Sequence, residues 1–222
     1  DVEGIRKQDI PVVLIGENKG NIRNVPIVRI DCKGAAHEAV RHLTNIGYKD
    51  IAIIYGRTPE RENQRKVDGY RQALSEEGIT EREEFIQEAD NTIEGGYIAA
   101  KRLIDLKERP RAIFASSDLL AFGATAAMKD HGIRIPEEIA FVGFDNTRMS
   151  NLIEPKLTTV EKPMHKMGVV GARLLFDLID TNAENGNNNL NNNNNANREI
   201  LLQSKLKIRK SCGHKERIGE MF

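Results

Sequence analysis

Residues 112–144, AIFASSDLLAFGATAAMKDHGIRIPEEIAFVGF, decide the reading of the fold. The stretch opens on one short apolar run (112–115, AIFA) and closes on another (139–144, IAFVGF), both of strand length and neither alternating with polar residues. Between them, residues 119–131 carry Gly123, Ala124, Ala127 and Met128 on one helical face, and Gly132 followed by Pro136 ends the helix. Two fully covered strands joined by a helix make a parallel βαβ unit with a right-handed crossover, since antiparallel neighbours need only a short turn.

The same alternation extends outward. Upstream, 51–55 (IAIIY) reads as a buried strand, followed by a helix at 64–77 through Val67, Tyr70 and Leu74 that stops at Gly78. Phe85 and Ile86 mark a short strand, and Thr92 is placed to cap a helix reaching Leu106. Nearer the start, 11–15 (PVVLI) is a strand, 18–24 a loop and 34–46 a helix with Ala36, Ala39, Val40 and Leu43 inward. Downstream the rhythm breaks: 146–155 is irregular, 157–160 is a strand, and Pro163 leads into a helix at 164–180. That break suggests a change of lobe. Residues 182–197 are nearly all asparagine and offer no apolar face, so they read as a disordered surface loop. A single strand is expected at 198–208, with a polar, basic tail behind it. That tail could attract phosphate, although a solvated terminus is the plainer reading.

Lysine plus arginine (33) equals aspartate plus glutamate (33), so no whole-molecule field draws the chain to nucleic acid or to an anionic membrane. There is no membrane-length apolar run and no leader pattern, which points to the cytoplasm, although the chain opens mid-pattern on Asp1. Cys32 and Cys212 stand apart with no CxxC pair, and reduced thiols are expected rather than a disulfide or metal site. An enzyme is not expected. No GxSxG elbow, P-loop or GxGxxG motif is present, and His37 and His42 are five residues apart rather than four. No cofactor is expected either.

In an open parallel sheet, ligands collect beyond the carboxyl ends of the strands. The four loops there are 56–63, 88–91, 116–118 and 145–147, and all are polar. Arg57, Arg61, Asn63, Arg65, Lys66, Asp90, Asn91, Ser117, Asp118, Asp145 and Asn146 supply carboxylates and donors without Cys or His. Such a set suits hydrogen bonding to a small polar ligand such as a sugar, not nucleophilic catalysis. Asp118 could equally be a helix cap, and Arg65 and Lys66 could be solvated charges at a helix start. Asp145 follows a strand with no clear helix behind it, so ligand contact is the better reading there.

Residues 112–168 resemble the core signature of lactose-repressor-type (LacI-family) regulators, through SSDLLAFGA, GIRIPEEIAFVGFDN and EPKLTTVEKP in that order. HLTNIGYKDIAIIYG (42–56) and GYRQALSEEGI (69–79) are similar to two further blocks of that family. The resemblance implies an α/β, periplasmic-binding-protein-like (type I) fold: two lobes of parallel sheet flanked by helices, three crossovers, the effector between the lobes, and here an incomplete N-terminal lobe. It divides the chain into a partial N-terminal lobe (1–30 and 162–198), an effector-binding C-terminal lobe (31–161 and 199–211) and a tail (212–222). It also implies a homodimer holding operator DNA through a headpiece outside these residues, with Leu119, Ala124, Met128 and Leu152 at the dimer interface. Packing of that helix on its own sheet is the open alternative.

The resemblance puts the family's effector-binding aspartate at Asp145. Ser117 stands where the family often has asparagine, Lys66 where it has arginine, and Asn91 follows Asp90 where many members carry an aromatic ring. The expected function is sensing of a sugar or sugar derivative by a transcription regulator. An exported sugar-binding protein is the alternative.

Overall fold

The computed structural model describes residues 4–5, 10–18, 22–57, 61–184 and 198–214. In chain order the elements are β1 Leu14–Ile15, β2 Ile27–Ile30, α1 Cys32–Asn45, β3 Ile51–Gly56, α2 Arg61–Glu76, β4 Ile86–Ala89 and α3 Ile93–Ile104. They continue with β5 Ala112–Ala115, α4 Asp118–Asp130, β6 Ala140–Asp145, β7 Thr158–Glu161, α5 Met164–Glu184, β8 Glu199–Leu202 and β9 Lys205–Lys207. The chain divides into two compact units, Asp1–Asp31 with Pro163–Gln203, and Cys32–Lys162 with Ser204–Phe222.

The second unit is built on a six-stranded sheet of order β4-β3-β5-β6-β7-β9, parallel except where β9 runs against β7. Its strands β3, β5 and β6 are apolar because both faces are covered: Ile51 to Ile54, all of β5 and Ala140 to Phe144 are buried. Ile54, Phe85, Leu103, Ile113, Leu120 and Phe141 belong to one continuous core. The helices start where polar side chains take up free amides. Thr92 Oγ1 accepts from the Gly95 N–H at 2.9 Å, and Ser117 Oγ from the Leu120 N–H at 3.3 Å.

Helices α3 and α4 approach backbone to backbone. A methyl group on Gly96 would strike the Leu120 backbone, and one on Gly123 the Ile93 carbonyl. Ala124, Ala127 and Met128 are fully buried in the same core. This corrects the expected dimer interface: Ala124 and Met128 are enclosed within their own unit and cannot face a partner, whereas Leu119 (41% exposed) and Leu152 (80%) remain on the surface.

The first unit holds a three-stranded parallel sheet of order β1-β2-β8, with α5 packed on β1 and β2. Strand β2 is absent from the sequence reading, because Arg29 interrupts IVRI and hides its period. The strand expected at 11–15 shortens to Leu14–Ile15. The single strand expected at 198–208 is two: β8 pairs with β2 and β9 with β7, on either side of a change of unit. Residues 199–203 therefore lie with the first unit, not with the effector lobe as expected. Helix α5 runs to Glu184, so the Asn-rich segment begins as helix. Residues 185–197 lie outside the described residues, as do 215–222. The expected tail is also corrected, since Ser211 and Cys212 are buried and the Ser211 hydroxyl joins the Thr158 amide to the Phe141 carbonyl. Neither cysteine forms a disulfide, and both are buried. Among the described residues, no helix is long and apolar enough to cross a membrane.

Candidate functional site

Parallel register brings the strand ends of the second unit to one edge: Gly56 pairs with Ala89, Ile54 with Ala115, and Asp145 with Glu161. Residues after these strands therefore share a rim, and α2, α3 and α4 begin there.

At the end of β6 the backbone of Asp145 has φ +123° and that of Asn146 has φ +54°, conformations that L residues adopt rarely and that tend to mark functional turns. Lys162 Nζ lies 2.6 Å from Asp145 Oδ1 and 3.5 Å from Glu62 Oε1. Glu62 Oε1 also pairs with Lys66 Nζ at 2.8 Å. Two carboxylates and two ammonium groups thus alternate along the rim, and Lys66 and Lys162 sit 4.3 and 5.6 Å from the centre of the Phe144 ring. Burial works against both kinds of charge here, yet the partners prevail. Burial lowers the Lys162 pKa, but Asp145 and then Glu62 raise it above its ordinary value. Burial raises the Glu62 pKa, but Lys66 and Lys162 bring it below the usual carboxylate range.

The expected site residues divide. Asp145, on the rim at 26% side-chain exposure, is held by Lys162. Asp90 and Asn91 are exposed, and Asn91 Oδ1 accepts from Ser117 Oγ at 2.5 Å. Arg65 is half-buried in the first turns of α2. Asn146 donates to Glu161 Oε1 at 3.0 Å and accepts from Arg209 Nη2 at 2.7 Å.

Two expectations need correction. Lys66 is only 3% exposed and also donates to the Ser116 carbonyl at 3.0 Å, so its ammonium is enclosed rather than offered. Asp118 is fully buried and does not cap α4. Ser117 caps α4, while the Asp118 carboxylate accepts from Thr147 N and Oγ1 and from Thr159 Oγ1 at 2.8, 3.0 and 2.6 Å. Burial raises its pKa against the pull of these hydrogen bonds.

Glu62, Glu161, Lys162 and Arg209 are members of the rim that the sequence reading missed. Lys162 stood within the quoted EPKLTTVEKP block. Arg209 was read as tail, yet it also donates to the Leu157 carbonyl at 2.6 Å. Among the described residues, no group of three metal-ligating side chains could hold a metal ion.

Residues 40–212 match the family model described as "Periplasmic binding protein-like domain". Catabolite control protein A of Priestia megaterium is 39% identical over 175 residues, 78% of this chain and 52% of that protein. A solved CelR–cellobiose complex is 30% identical with TM-score 0.79, over 93% of this chain and 60% of the other. A LacI-family regulator from Enterococcus faecium with bound ribose is 27% identical with TM-score 0.79, over 94% and 73%. The chain spans about half the length of the curated relatives it matches. With a parallel α/β fold, polar strand ends on one rim and these likenesses together, the chain belongs to the periplasmic-binding-protein-like domain family, and it is similar to the corresponding part of LacI-type transcriptional regulators.

Proposed function

We propose that the chain senses a small polar effector, a sugar or sugar derivative, at the carboxyl edge of its six-stranded sheet, and so modulates operator binding by a regulator of which it is one part. The observation that carries this reading is Asp145: a half-exposed carboxylate on a left-handed backbone at the tip of a central strand, within an ion-pair array rather than in bulk water. Solved relatives that carry cellobiose or ribose support a carbohydrate class of ligand. Asp145, Asp90, Asn91, Ser117, Arg65 and Asn146 are the contacts proposed on this rim. The likeness to transcription regulators favours a cytoplasmic, DNA-linked role over export, and a homodimer would use the exposed Leu119 and Leu152.

The test is a thermal-shift and calorimetric screen of mono- and disaccharides, their acids and their phosphates. Asp145→Ala should lower the affinity of any ligand found by at least tenfold. Affinity within a factor of two of wild type would remove Asp145 from the site.

A further inference from the structure

We propose that the amino end of β3 carries a second ligand site, separate from the rim, which takes a small organic ammonium ion: an amine on an apolar body about the size of a phenyl ring. The site is a cavity of about 290 Å³ between the end of α2, the start of β3 and the turn before β4. Strand register opens it. Strand β3 begins at Ile51, but β4 first joins it where Ile53 pairs with Ile86, so the first residues of β3 have no strand beside them on that side. A single 3-10 turn, Glu83–Phe85, crosses there instead.

One side of the cavity is apolar, supplied by Ile51, Leu74, Ile79 and Phe85. Tyr70 also lines it but brings no spare donor, because it is fully buried and its hydroxyl donates to the Ile51 carbonyl at 2.8 Å. The volume lies at the lower end of the range for ligand pockets, which suits one ring or one branched chain rather than an oligosaccharide. Charge then selects the head group. Lys49, Asp50, Glu77 and Arg82 line the polar side. Arg82 is already committed, stacked on Phe85 at 4.3 Å and paired with Glu84 at 2.8 Å and Glu108 at 3.0 Å. Two cations thus stand against four carboxylates, and the Arg71–Glu81 pair nearby adds no net charge. Helix α2 ends here, with Gly78 turning the chain away at φ +65°, and the partial negative charge of a helix carboxyl end favours a cation. An ammonium meets Asp50 and Glu77, whereas an anion finds only Lys49 uncommitted. The rim lies at the other end of α2, 16 residues and about 24 Å away, so this inference is independent of the effector reading.

The experiment is titration of the isotope-labelled chain, followed by amide shifts, with phenethylammonium, phenethyl alcohol and phenylacetate, which share the ring and differ in charge. Phenethylammonium should shift the amides of Ile51, Leu74, Ile79 and Phe85 and bind about fivefold tighter than the alcohol or more, with the acid weaker still. Asp50→Asn combined with Glu77→Gln, two exposed positions whose substitution leaves the apolar side intact, should bring amine and alcohol within about twofold. No shift at the four amides, the alcohol or the acid binding as tightly as the amine, or a preference that survives the double substitution would each overturn the proposal. Shifts confined to Gly56, Asn91 and Asp145 would move the amine to the rim, and so overturn it while leaving the effector reading intact.

Discussion

Asp118 accepts two hydrogen bonds from Thr147, one from its amide at 2.8 Å and one from its hydroxyl at 3.0 Å, and so clamps the far side of the turn that carries Asp145 and Asn146. With Thr159 on its other oxygen, a single buried carboxylate joins the start of α4, the end of β6 and the middle of β7. Removing it strands several donors at once. Asp118→Ala should destabilise the chain by on the order of 3 kcal/mol in urea unfolding, with Asp118→Asn milder because one acceptor oxygen remains. Equal stability of Asp118→Ala and wild type would mean the clamp contributes nothing.

Lys66 presents the complementary case of an enclosed cation. Lys66→Ala takes a partner from Glu62 and from the Ser116 carbonyl and removes the stem beside Phe144, a loss of about 3–5 kcal/mol for a broken buried pair. Lys66→Met keeps the stem, and Lys162 remains near Glu62, so it should lose clearly less. Chemical denaturation of the two variants side by side separates charge from packing.

His42 makes the fold acid-sensitive. Its ring stacks on His214 with centroids 5.3 Å apart, and its Nε2 lies 3.4 Å from Cys212 Sγ. Burial, with His214 adding to it, brings its pKa down from 6.5 to about 4. Since the folded value is the lower, the unfolded chain takes up a proton that the folded chain refuses between these values. Stability is therefore retained above pH 6.5 and lost as pH falls towards 4. The urea midpoint should decline across this window, and His42→Gln should make the decline shallower; an unchanged slope would assign the acid sensitivity to other groups.

Gly123 tests the packing of α3 on α4. Gly123→Ala sets a methyl against the Ile93 carbonyl and should cost about 1–3 kcal/mol, read as a lower thermal midpoint. Gly168→Ala, where a methyl meets nothing within 4 Å, is the control and should leave stability unchanged or slightly raised.

The α/β alternation was legible because strands covered on both faces must be apolar throughout: IAIIY, AIFA and IAFVGF lie in β3, β5 and β6, with their helices between. The rim was legible for the same reason, since strand ends in a parallel sheet share an edge, and Asp145 stands on it. Strand β2 was not, because one arginine in four residues leaves no period to detect. The division of 198–208 into β8 and β9 was hidden by an alternation that continues through both, although their partners lie in different units.

Local sequence settled which segments become strand or helix and which residues stand at the strand tips, because period and punctuation act over a few neighbours. Tertiary structure alone settled the state of each polar group on the rim, because burial and ion pairing depend on residues far away in the chain. Lys162 meets Asp145 and Glu62, Arg209 reaches Asn146, and Asp118 turns inward to Thr147 and Thr159 only once the sheet is assembled.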